Sequence, residues 1–111
     1  MTQPQKIDYI IEKTAEYFGL SVVELTKARG GGRTSAHRKK MYLSLILYNN
    51  TETTMKEISE RVGYYDKNTI SRKLKYIKEE LDPAYDGYAK TKMIYKELLE
   101  HLNLKSYEEQ S

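Results

Sequence analysis

The chain has 111 residues, of which 39% are hydrophobic and 32% charged, and its formal net charge is +3; this suits one compact domain, or one domain with a helical appendage, built on a modest core. Without cysteine, disulfides and cysteine-ligated zinc are excluded, and the two histidines, His37 and His101, lie too far apart in sequence to suggest a metal site. No apolar run reaches the ~20 residues of a membrane span, and Met1-Thr-Gln-Pro-Gln-Lys lacks a signal-peptide core, so a cytoplasmic location without a membrane partner is expected.

In chain order, the first predicted element is an amphipathic helix from about Lys6 to Phe18. Ile7, Ile10, Ile11, Thr14, Ala15 and Phe18 recur at three- and four-residue spacing, and Gly19 stops the helix. Ser21-Val-Val-Glu24 reads as a capping box that opens a short second helix to about Lys27. Gly30, Gly31 and Gly32, between Arg29 and Arg33, predict a flexible basic loop. Arg33-Thr34-Ser35 stands where a phosphate-binding P-loop needs Gly-Lys-Ser/Thr, so no nucleotide site is expected there. Ser35 can cap a third helix to about Tyr48. Its Met41, Leu43, Leu45, Ile46 and Leu47 mark it as the central core helix, with Arg38, Lys39 and Lys40 at an exposed start.

Thr54-Met-Lys-Glu57 reads as a second capping box, opening a short helix that turns Met55, Ile58 and Val62 inward and ends at Gly63. Tyr64 and Tyr65 form a turn, and Asp66 can cap a helix from about Lys67 to Leu81. There Ile70, Leu74, Ile77 and Leu81 make one buried stripe, and Pro83 terminates the element. A last helix, about Ala89 to Leu102, is expected to bury Met93, Tyr95 or Leu98, Leu99 and Leu102. Of eleven tyrosines, Tyr9, Tyr17, Tyr42, Tyr48 and Tyr76 are expected to pack at the edge of the core.

Function is most legible between Thr54 and Leu81, a short capped helix, a glycine-bearing turn and a longer helix laid out as a helix-turn-helix. Opposite the buried stripe, Lys67, Asn68, Thr69, Ser71, Arg72 and Lys75 crowd the first turns of the second helix. These side chains can donate to phosphates and read base edges in a major groove. Charge placement agrees. No acid lies between Glu24 and Glu52, a stretch holding Lys27, Arg29, Arg33, Arg38, Lys39 and Lys40, and none lies from Lys67 to Lys78. Double-stranded DNA is therefore the expected partner, with Tyr64 and Tyr65 placed to touch it. The alternative is a protein-interaction module that uses the same two tyrosines against a partner protein. No paired carboxylates, nucleophile with base, or metal-ligand set is visible, so neither catalysis nor a cofactor is expected.

From Tyr9 to Leu81 the chain resembles the C-terminal duplex-DNA-binding domain of the bacterial replication initiator DnaA, a Trp-repressor-like helix-turn-helix. The matching stretches are Thr14-Ala-Glu-Tyr-Phe-Gly-Leu-Ser-Val-Val-Glu-Leu25, Arg38-Lys-Lys-Met-Tyr-Leu43, Met55-Lys-Glu-Ile-Ser-Glu-Arg-Val-Gly63 and Asp66-Lys-Asn-Thr-Ile70. The family signature, Gly-Gly-Arg-Asp-His-Thr-Thr-Val, is met by Gly63, Asp66 and Thr69, with Ile70 for Val. Tyr65, Lys67 and Asn68 replace its Arg, His and first Thr. The resemblance implies that this segment reads DNA, helped by a minor-groove Arg whose position falls at His37, beside Arg38. It further implies an all-α helical bundle with the DNA-binding domain at 1–82 and a C-terminal helical extension at 83–111. The initiator's ATPase module has no counterpart. The expectation is a freestanding regulator or replication accessory protein, of the kind a mobile element carries, with a second copy or a replication protein as further partner.

Overall fold

The computed structural model describes residues 2–27, 35–63 and 67–105, with the side chains of 27, 35–37 and 67 left aside. Six helices follow in order: α1 (Gln3–Phe18), α2 (Val22–Lys27), α3 (Ser35–Asn50), α4 (Met55–Val62), α5 (Lys67–Glu80) and α6 (Tyr88–Leu102). No strand occurs among the described residues, and the fold is an all-α helical bundle.

α1 begins three residues earlier than its apolar stripe suggests, because Thr2 and Gln5 form a capping box and Pro4 sits in the first turn. It ends at Gly19, which takes a left-handed φ of 69° and returns its N–H to Ala15 and Glu16. The Ser21–Glu24 box is reciprocal, at 3.0 and 3.1 Å. The Thr54–Glu57 box is only half formed. Thr54 Oγ1 accepts from the Glu57 N–H, but the Glu57 carboxylate accepts from the Thr54 hydroxyl rather than from its backbone.

α3 runs through the centre. Every residue from Lys40 to Leu47 is buried, as befits a helix with neighbours on all sides. α1, α2, α4 and α5 pack around it. Full burial of each Leu or Ile in this group contributes roughly 1.5–3 kcal/mol.

Lys40 corrects the expectation of an exposed basic start to α3, since it is wholly buried and donates to the Gly63 carbonyl at 3.4 Å. Its long stem fills core space, and its head reaches a carbonyl left open at the end of α4. Met93 is a second correction. It is 54% exposed, on the outer side of α6, while Thr91, Leu98 and Leu102 face inward. Tyr48 and Tyr76 also lie further out than expected, each roughly half exposed beneath a lysine, Lys78 and Lys73 respectively.

α6 lies against α1 and shares its core through Leu98 and Leu102. Tyr9 donates to the Leu102 carbonyl at 2.6 Å and Tyr17 to Glu97 at 2.7 Å, while His101 Nε2 lies 3.4 Å from Glu16.

Candidate nucleic-acid interface

α4 and α5 pack on each other and on α3. Ile58 and Val62 of α4 and Ile70, Leu74 and Ile77 of α5 are all buried, which fixes the rotation of α5 about its axis. The connection between them requires glycine at its start. Gly63 has φ 80°, and a Cβ on it would sit 1.8 Å from the Thr26 carbonyl oxygen and 3.2 Å from Lys40 Nζ. The C-terminal ends of α2 and α4 thus meet at one point, with the Lys40 amino group beside them.

With the stripe turned inward, Asn68, Ser71, Arg72 and Lys75 are exposed. None of the four makes a hydrogen bond or ion pair among the described residues. Asn68 and Arg72 point directly away from the stripe, whereas Ser71 and Lys75 flank a groove beside Met55 of α4. Thr69 is half-buried and already engaged within the protein. Lys67 is the first residue of α5. The N-terminal half of α5 thus presents amide, hydroxyl and guanidinium donors, at the end where the helix dipole favours anions, and Lys75 adds an ammonium just beyond its midpoint.

Arg38 and Lys39 are placed differently. The Arg38 guanidinium holds Glu80 in a two-pronged pair, at 3.2 and 2.6 Å, although its side chain is half exposed. The Glu80 carboxylate raises the Arg38 pKa further, outweighing the opposing effect of burial. Glu80 is the last residue of α5, about 20 Å along the axis from Lys67, so the structure does not bring Arg38 together with the donors at the start of α5. Lys39 is half-buried, its Nζ 5.6 Å from the Phe18 ring centroid. His37 lies in the first turn of α3. Arg33, Tyr64, Tyr65, the capping Asp66 and the triple-glycine loop lie outside the described residues.

Sequence reasoning passed over Glu80, which ties α5 to α3 through Arg38 and to α6 through the Thr91 hydroxyl at 3.5 Å. A signal was present, since Glu79 and Glu80 stand at the end of a helix where the dipole disfavours acids. A carboxylate kept in such a place points to a cation nearby. No protein-family model, no curated protein and no solved structure matches the chain.

Proposed function

We propose that this protein binds double-stranded DNA with sequence preference, α5 entering the major groove and the basic segment before α3 meeting the backbone or the neighbouring minor groove. The observation that carries the reading is the outward face of α5, where four exposed donor side chains have no partner among the described residues, on a helix rigidly seated by Ile70, Leu74 and Ile77. Asn68 suits adenine through its N6 and N7 groups, and Arg72 and Lys75 suit phosphate or guanine. The sequence resemblance to the initiator's DNA-binding domain supports the same mode. Because Tyr65, Lys67 and Asn68 replace the family's Arg, His and Thr, the preferred site differs from the initiator's box. The protein acts by binding and not by catalysis, as a cytoplasmic regulator or replication accessory.

Selection of bound sequences from a random duplex pool, followed by competition at fixed salt, tests the proposal. A selected site should outcompete a scrambled duplex, and the initiator's box should not. Affinity should also fall steeply as salt rises, with a log–log slope of about 0.9 per phosphate contacted. A pool that shows no enrichment, together with binding indifferent to salt, would overturn it.

A further inference from the structure

An open-sided cavity of about 470 Å³ lies where the end of α1, the start of α3 and the end of α5 meet the turn into α6. Its volume falls within the range of roughly 300–1,000 Å³ in which proteins hold small molecules. Aromatic and cationic residues make up most of its lining. Phe18, Tyr42 and Tyr85 supply flat apolar surface, and Arg38, Lys39 and Lys90 supply positive charge.

The acid on this wall, Glu80, is already neutralised by two N–H donors from Arg38 and the Thr91 hydroxyl. Lys39 and Lys90 therefore leave the cavity with a surplus of positive charge. Lys39 is held over an aromatic wall, near the Phe18 ring. Tyr85 is 43% exposed, and its ring fills the space that a side chain at Gly87 would need, since a Cβ there would lie 2.7 Å from Tyr85 Cε2. Glycine at 87 thus lets an aromatic ring stand as the outer wall.

We propose that this cavity binds a flat aromatic anion, a ring system bearing a phosphate or a carboxylate. The ring lies against the aromatic walls, and the charge faces Lys39 and Lys90. The proposal stands apart from the DNA reading, and its test contains no DNA.

The isotope-labelled full chain is titrated with adenosine monophosphate and with indole-3-carboxylate, and in parallel with adenosine, indole and inorganic phosphate. At least one aromatic anion should shift the Gly87, Lys90 and Thr91 amides saturably, at least about tenfold more tightly than its neutral ring or phosphate alone. Whichever anion binds more tightly identifies the charge the cavity prefers. Lys90→Gln and Tyr85→Ala alter solvent-facing side chains, and each should weaken binding by about threefold or more with the remaining amide spectrum unchanged. Absence of a saturable shift, equal binding of the neutral rings, an equal response to inorganic phosphate, or undiminished affinity in both variants would overturn it.

Discussion

The seam between α1 and α6 and the outward face of α5 are both rich in polar side chains, and they use them in opposite ways. Along the seam, Tyr9 donates to Leu102, Tyr17 donates to Glu97, and His101 faces Glu16. These groups fasten one helix to another. On α5, Asn68, Ser71, Arg72 and Lys75 bond to nothing among the described residues. A polar group with an internal partner adds roughly 0.5–1.5 kcal/mol to stability, whereas an unpartnered one on the surface adds nothing and remains available to a ligand. Composition alone does not separate the two surfaces; the partners do.

The comparison is broken most severely by removing the geometry that presents α5. Gly63→Ala forces a methyl against the Thr26 carbonyl at a left-handed φ. It should lower the unfolding free energy by about 2–4 kcal/mol in urea titration, because overpacking and backbone strain act together. Next come the outward donors themselves. Arg72→Ala and Lys75→Ala should each weaken duplex binding by about 1–3 kcal/mol in fluorescence titration. Both should leave stability within about 0.5 kcal/mol of the parent. Unchanged DNA affinity in both variants would remove α5 from its assigned role.

Two smaller effects sharpen the other side of the comparison. Thr14 is wholly buried on α1, and its hydroxyl has no partner among the described residues. Thr14→Val replaces that hydroxyl by a methyl of similar shape and should raise the thermal midpoint by a few degrees, about 1 kcal/mol, without altering DNA binding. Tyr17 concerns the seam. Burial, followed by its hydrogen bond to Glu97, pushes its phenol pKa up to about 12. A raised pKa means that the folded state favours the protonated phenol. The contribution is therefore complete below the ordinary value of 10.0 and is lost as pH climbs from there to about 12. Alkaline unfolding of Tyr17→Phe should lose this part of the parent's pH dependence.

Much of the fold was legible because its signals are local. Gly19 and Gly63 both end their helices in the left-handed region, and Ser21 with Glu24 forms the reciprocal box that their spacing predicts. The stripe at Ile70, Leu74 and Ile77, legible from its spacing alone, sets which side of α5 faces out. What escaped depended on contacts distant in sequence. Lys40 looks like one more cation in the run Arg38-Lys-Lys40, and only the arrival of Gly63 from α4 explains its burial. Arg38 looks like another cation of the same run, and no local pattern shows its pairing with Glu80, forty-two residues away. Met93 shares its apolar character with Leu98, but periodicity alone did not settle which side of α6 would meet α1.

The meeting of α2 and α4 at Gly63 also bears on how such a chain can change over generations. Lys40 and Gly63 are mutually dependent: the lysine head bonds the glycine carbonyl, and the missing side chain at 63 leaves room for that head and for the Thr26 carbonyl. Shortening Lys40 first empties core volume and withdraws a donor, while enlarging Gly63 first drives a methyl into occupied space. Each single step is deleterious, so the two positions should be inherited together. A descendant that has lost one is expected to have replaced the other, and only in company with a shift of α2.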